Sequence, residues 1–445
     1  MRVGIGMAVI GLGVAVAPLD TSVNVAFPAM TAYFHLQLRA IQWVIISYVL
    51  AYGGLMLVGG RLGDLYGYRR LFRIGLCISV LGLACCAMAQ AYALLLAARI
   101  VQGIGAALLL SCAPALATML VAEDKRVWAI STYGAMAAGA TAIGPLLGGV
   151  LVEHGGWQAV YWFRVPICLA ALALSFAIRP RAQAPAAHGF DFAGAGMLLG
   201  ALSGLIVAAA LARDIGAWSA LVAVAGASAL VLFVARQRRI AAPIIRPTIF
   251  AAPAFATINI ASILIQAAGF TPLLLAPYFL AHIVGLPPLG IGALLAIWAG
   301  GTVIGTLLVP PLLRRVPPRA ILVGAAMLLA AGLLATSQWP SQSNIVVLAG
   351  SLLAQGLGLG LFQVVYMDVV MAGLPAGERG VAASLAMLTR TLGTLICATG
   401  FSAWVEAMQV AGSSFAAAFA TAFMAAGLAI AGLCALFAWR RLRLV

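Results

Sequence analysis

The chain has 445 residues, 64% of them hydrophobic and only 8% charged, with a formal net charge of +15 and a mean hydropathy of +1.13. That balance excludes a soluble globular domain and leaves a membrane protein. The spanning element must be helical: apolar runs of about 20 residues recur between short polar breaks, whereas the strands of a barrel would alternate in polarity.

Taken in chain order, the runs predict fourteen spans, at 4–29, 41–60, 71–90, 93–120, 128–151, 160–178, 192–212, 217–235, 252–280, 289–312, 320–338, 344–370, 380–403 and 414–438. The first lacks a small-residue cleavage site and leads straight into further spans, so it is expected to be a retained helix.

A large positive charge raises the question of a nucleic-acid partner, which the placement of the basic residues answers. With the N-terminus cytoplasmic, twenty of the 25 Lys and Arg fall on the inner side, only Arg39 and Arg213 fall outside, and Arg99, Arg164 and Arg390 lie within spans. The bias is the positive-inside signature of a multi-pass inner (plasma) membrane protein with both termini cytoplasmic. No nucleic-acid partner is expected. The seven cysteines all fall within predicted spans without metal-type spacing, and no zinc, nucleotide or nucleophile signature occurs in a suitable context. The chain is therefore expected to be no enzyme and to carry neither metal nor cofactor.

The densest cluster of charge is "GGRLGDLYGYRRLFR" at 59–73, directly after the second span. The segment "RQRRIAAPIIRPTIF" at 236–250 divides the chain into two parts, and "PPLLRRVPPRAILVG" at 310–324 stands in the later part where the charged loop stands in the first. Such internal repetition marks many transporter folds.

"GGRLGDLYGYRR", "LDTSVNVAFP" at 19–28, "RIVQGIGAAL" at 99–108 and "GPLLGG" at 144–149 together resemble the major facilitator superfamily, and within it the fourteen-helix drug:proton antiporters. The resemblance implies an all-α membrane fold. Two six-helix bundles, 1–180 and 241–445, would flank two additional transmembrane helices at 181–240. It also implies that the loop motif, Gly60, Arg61, Gly63, Asp64, Gly67, Arg69 and Arg70, holds the bundles together on the cytoplasmic side when the cavity faces outward. The glycines permit tight turning, and Asp64 can accept hydrogen bonds from arginines and helix-end amides. The alternative for Arg69, Arg70 and Arg73 is that they only anchor the loop inside.

An ionisable group inside a span costs at least a few kcal/mol, so each is a functional candidate. Asp20 lies 18 residues beyond Arg2, ~27 Å along a straight helix, and Arg99 and Arg164 fall in the same outer half of the bilayer. A carboxylate that alternates between an arginine and a proton is the simplest device for coupling to a proton gradient. The resemblance places Asp20 and Arg99 in that role, with a permanent structural ion pair as the alternative. Arg164 departs from the family, whose members commonly carry a polar amide there. It is expected either to clamp Asp20 or to pair with Glu153. Asp368 and Arg390 are candidate cavity residues and form a second candidate pair, in which the arginine would have to reach across a difference in depth. Asp191 is expected to cap the seventh span.

In span five Ala140, Gly144 and Gly148 recur every four residues, followed by Pro145 and Gly149, giving a smooth face against which a helix of the second bundle is expected to pack. Trp43, Tyr48, Tyr52, Tyr133, Trp298, Phe362 and Tyr366 are candidate cavity-lining aromatics, although most aromatics in spans face lipid or neighbouring helices.

The reading is a secondary transporter that exports small amphipathic compounds in exchange for protons, driven by the proton gradient without a cofactor, by alternating access. Its partners are a small-molecule substrate, protons and the lipid bilayer. Oligomeric state is open, and a monomer is compatible with the sequence. Proton-coupled transport of one specific metabolite is the alternative. A non-transporting membrane sensor gives no reason for Asp20, Arg99 and the span-five stripe to coexist.

Overall fold

The computed structural model describes residues 2–122, 125–176, 191–211, 216–240, 253–339, 344–372 and 379–439. They form sixteen α-helices and no strand: α1 (Arg2–Ala15), α2 (Ser22–Tyr33), α3 (Gln42–Tyr66), α4 (Tyr68–Ala87), α5 (Tyr92–Met119), α6 (Arg126–Gly155), α7 (Ala159–Trp162), α8 (Arg164–Ser175), α9 (Phe192–Ala210), α10 (Ala217–Gln237), α11 (Pro253–His282), α12 (Pro288–Leu313), α13 (Pro318–Ser337), α14 (Ile345–Ala372), α15 (Arg379–Val410) and α16 (Phe415–Trp439). Among the described residues eleven helical stretches are long and apolar enough to cross a membrane, and Gln42–Met56 and Ala159–Ser175 are shorter apolar helices. Large apolar side chains such as Leu81, Trp218, Val231 and Leu307 are exposed on the outside of the bundle, where lipid is their natural solvent.

Two spans expected to be straight are interrupted. Between α1 and α2 the chain tightens into a 3-10 turn, Pro18–Thr21, with Pro18 at its start. Proline has no N–H to continue the α-helical ladder, so Asp20 sits on a joint rather than along a continuous helix. The sixth span is interrupted for a single residue, Phe163, between α7 and α8, where the backbone keeps helical angles.

Close helix crossings use small residues in both parts of the chain. α5 approaches α3 at Gly103, where an added Cβ would stand 2.6 Å from the Tyr48 carbonyl oxygen, and approaches α4 at Gly75 and Gly105. In the later part α14 takes the corresponding position between α12 and α13. Gly356 and Gly360 lie against α12, while Gly358 lies against α13 at Ala325 and Leu329. The run "GLGLGLF" is thus a two-sided packing element. Lipid tails are as apolar as the side chains, so close contact of backbones supplies the attraction.

The α9–α10 hairpin packs through Gly204 against Gly226, and α9 also contacts α3 and α15. Its ends are joined by one carboxylate. Asp191 caps α9 by accepting from Gly194 N at 2.8 Å, and it also accepts from Arg236 Nε at 2.8 Å and Gln237 Nε2 at 2.7 Å at the end of α10. Burial pushes the Asp191 carboxyl up, but these hydrogen bonds outweigh it and hold the group below the usual carboxylate range. Asp191→Ala is expected to lower the melting temperature in detergent by the equivalent of about 1 kcal/mol for the lost cap. The contribution is complete above about pH 4 and is lost as pH falls through the lower folded value, so melting curves of the two proteins should converge in acid.

Candidate functional site

Asp20, Arg99 and Arg164 meet. Arg99 on α5 donates from Nη1 to Asp20 Oδ1 at 2.8 Å and from Nη2 to Oδ2 at 2.9 Å, a bidentate pair. Arg164, the first residue of α8, donates from Nη1 to Asp20 Oδ1 at 2.8 Å. Gln102, one turn along α5 from Arg99, donates from Nε2 to the same oxygen at 3.0 Å. The spacing of three on a helix puts Arg99 and Gln102 on one face.

Each guanidinium is also held from its other side. Arg99 Nε donates to the Val44 carbonyl at 2.9 Å, its Nη1 donates to Gln102 Oε1 at 2.8 Å, and its plane stands 4.3 Å from the centre of the Tyr48 ring. Arg164 Nε donates to the Val160 carbonyl at 3.0 Å and its Nη1 lies 3.4 Å from the Val16 carbonyl. The Val16 carbonyl lies beside the turn at Pro18, and the Val160 carbonyl lies one turn before Arg164 on its own span, so both offer backbone acceptors to a buried cation. Arg99 and Arg164 are buried, while the Asp20 side chain retains 14% exposure. Of the alternatives for Arg164, the clamp on Asp20 is the one seen. Glu153 instead accepts from the Leu289 backbone N at 3.0 Å.

The exposed edge of Asp20 opens on a cavity of about 410 Å³ lined by helices from both parts of the chain, within the usual range for small-molecule pockets. Tyr48, Tyr52, Tyr133 and Trp298 line it, as does Arg390. Other candidate residues lie elsewhere. Trp43 is half-buried in the core, and Phe362 and Tyr366 are buried with stacked rings 5.9 Å apart. Tyr366 donates to Asn259 Oδ1 at 2.7 Å, so its polar end is occupied by packing. Asp368 is exposed and does not line the cavity. The expected pair with Arg390 is absent among the described residues, because the two side chains face different environments as well as different depths.

The span-five stripe has two faces rather than one. Ala140, Gly144 and Gly148 share a helix face, and its glycines meet the Asp20 joint: an added Cβ would stand 2.1 Å from Thr21 Oγ1 at Gly144 and 2.6 Å from the Ser22 carbonyl at Gly148. Gly149 meets the second part of the chain, with an added Cβ 3.2 Å from Gly292 Cα on α12, and a Cβ on Gly292 would stand 2.5 Å from the Pro145 carbonyl. The expectation of a single face toward the second bundle is corrected accordingly. Near these contacts Thr31 Oγ1 and Tyr278 Oη are 2.5 Å apart, joining α2 to α11. Gln102, Tyr278 and the two backbone interruptions were not singled out in the sequence, although Gln102 is legible from its helical spacing to Arg99.

In the charged loop, the side chains of Arg61 and Asp64 lie outside the described residues. Gly67 has φ of +88° at the turn between α3 and α4, a conformation that favours glycine. Gly63 packs under the Tyr68 ring, Gly60 faces open space, and Arg70 is exposed. Arg69 Nη2 donates to the Phe176 carbonyl at 3.0 Å and Arg73 Nη2 to the Ser175 carbonyl at 3.0 Å. These two arginines satisfy carbonyls at the end of α8 and complement its negative pole.

A model of the Major Facilitator Superfamily matches residues 3–191 and 187–398. The chain belongs to that superfamily. The puromycin resistance protein pur8 of Streptomyces alboniger is 32% identical over 402 residues, 87% of this chain and 79% of that protein. The cephamycin export protein CmcT of Amycolatopsis lactamdurans is 32% identical over 391 residues, 84% of this chain and 79% of that protein. The tetracenomycin C resistance and export protein of Streptomyces glaucescens is 29% identical over 382 residues, 84% of this chain and 71% of that protein. In fold, the chain is similar to a peptide transporter structure with a TM-score of 0.72 at 15% identity, covering 97% of this chain and 94% of that one. It is also similar to the nucleoside transporter NupG, with a TM-score of 0.70 at 12% identity over 98% and 99% of the two chains. This major facilitator chain is a multi-pass membrane transporter.

Gly148→Val forces a side chain against backbone at the Asp20 joint and is expected to destabilise the protein by roughly 1–3 kcal/mol of overpacking. Gly139→Val is the control, since Gly139 faces open space on the same helix. Melting of the two variants in detergent checks this; equal curves would remove the stripe from positioning the joint.

Proposed function

We propose that this chain is a secondary transporter that exports small amphipathic compounds in exchange for protons. The observation that carries the reading is Asp20, on the break between α1 and α2, shared by two arginines and opening on a cavity between the two parts of the chain. The names of its relatives as resistance and export proteins support the direction and the substrate class.

Burial favours the neutral acid and the guanidiniums favour the carboxylate, so a small change in the position of the joint can bind or release a proton. Protonation removes the charge-assisted bonds to Arg99 and Arg164, yet both cations keep backbone acceptors and remain held. The joint is then free to move while its partners stay in place. That motion would be passed to α6 through Gly144 and Gly148. The fuller architecture belongs to the same proposal: fourteen spans, bundles at 1–180 and 241–445 with two added helices at 181–240, both termini on the cytoplasmic side of the inner membrane, and the loop around Asp64 as a latch between states. The proton gradient drives the cycle without a cofactor.

The test is drug-dependent proton movement in energised vesicles, with puromycin and a cephamycin as probes. Asp20→Asn keeps shape but cannot titrate, so proton release should fall to the level of empty vesicles while exchange of substrate down its own gradient persists. Proton release at the unmodified rate would take the coupling role away from Asp20. Movement of one solute from the panel and no other would favour a dedicated metabolite transporter.

A further inference from the structure

The charges around the cavity do not balance. Among the described residues that line it, Asp20 is the one carboxylate, and it is already shared between Arg99 and Arg164. Two guanidiniums against one carboxylate leave a positive charge in excess at that end. Arg164 Nη2 is buried without a hydrogen-bond partner. Arg390 on α15 also lines the cavity, is exposed, and has no carboxylate partner among the described residues, since Asp368 does not line the cavity. The same cavity presents apolar and aromatic surfaces, including Trp298, Tyr133 and Phe270, and the amides of Gln266 and Gln363, bonded to each other at 3.1 Å.

An organic cation entering this space would face an excess of guanidinium charge, and the one carboxylate on the wall is already held by Arg99 and Arg164. An organic anion meets the opposite situation. We propose that the substrates are amphiphiles carrying a single acidic group, a carboxylate or an ionised phenol, which docks on Arg390 while its apolar body lies against the aromatic wall. This deepens the export reading above and rests on it. A planar guanidinium matches a carboxylate in a bidentate fork, and loss of such a contact in a desolvated cavity is expected to cost about tenfold in affinity. Outward movement of an anion and inward movement of a proton carry charge in the same sense, so an inside-negative potential drives both.

The test uses three probes with one aromatic body: 1-pyrenebutyrate, its methyl ester, and the counterpart in which trimethylammonium replaces the carboxylate. Binding to the purified full chain in nonionic detergent is followed by fluorescence polarisation. The butyrate is expected to bind about tenfold more tightly than the ammonium probe. Arg390→Gln should remove about that factor for the butyrate and leave the ester unchanged, whereas Arg390→Lys, which keeps the charge but loses the planar fork, should retain only part of it. Equal or tighter binding of the ammonium probe overturns the proposal, as does an Arg390→Gln variant that weakens ester and butyrate alike, or failure of all three to bind. The same probes in energised vesicles separate this proposal from the one beneath it. Proton release driven by the ammonium probe but not by the butyrate overturns the anion assignment and leaves export standing. Selective binding of the butyrate without any flux overturns export and supports the anion site.

Discussion

The structure depends on one buried carboxylate shared by two arginines. Charges of this kind are tolerated inside a membrane only when they are paired and their remaining donors have acceptors. Asp20 supplies the pairing, and the main chain supplies much of the rest. An unbroken α-helix has few free carbonyls to offer, because each is committed four residues along. The turn beside Pro18 brings the Val16 carbonyl within reach of Arg164, and the Val160 carbonyl, four residues back on the same span, accepts from its Nε. Irregular backbone at membrane depth is confined to places buried in protein or lining a cavity, and the joint at Asp20 is both.

The small residues follow from the same requirement. A helix break that carries a charge must be covered closely, or lipid would meet unsatisfied backbone. Gly144 and Gly148 let α6 lie directly on Thr21 and Ser22, closing the joint without a side chain between. In the later part of the chain, Gly356, Gly358 and Gly360 seat α14 between α12 and α13. The two parts therefore use one packing method for different ends: on α6 it seals a titratable site, and on α14 it builds a wall.

Much of this was legible in the sequence because charge is scarce in it. In a chain with 8% charged residues, Asp20, Arg99 and Arg164 stand out inside apolar runs, and counting residues from the span ends places them at similar depth. Depth is only one coordinate. Which way a side chain faces around its helix depends on breaks and crossing angles that apolar composition does not encode. Asp368 and Arg390, a candidate pair across a difference in depth, also face different environments, since Arg390 lines the cavity and Asp368 does not. The span-five glycines were legible as a close-packing face, but Gly149 is offset by one residue from Gly148, about 100° around the helix, and meets a different partner. The loop arginines illustrate a further limit. The positive-inside pattern explains their side of the membrane, yet their partners, Ser175 and Phe176, are about a hundred residues away and are main-chain carbonyls with no sequence signature.

The contacts between the two parts near Gly149 have a composition suited to being made and broken. They include close backbone packing at Gly149 and Gly292 between α6 and α12, the Tyr278 hydroxyl, which meets both Thr31 Oγ1 and the Phe27 carbonyl, and one bond from the Leu289 amide to Glu153. No ion pair crosses there among the described residues, and Thr31, Tyr278, Leu289 and Glu153 each stand near a helix end. A hydrogen bond exchanged for one to water is worth only about 1 kcal/mol net, so separating this surface costs far less than separating an interlocked core of the same area. The charged cluster differs: it is ionic, multiply bonded, and held by backbone on α3, on α7 and at the joint. An alternating mechanism needs both kinds of contact, a firm one that stores the difference between protonated and ionised states, and a loose one that yields when that difference is released.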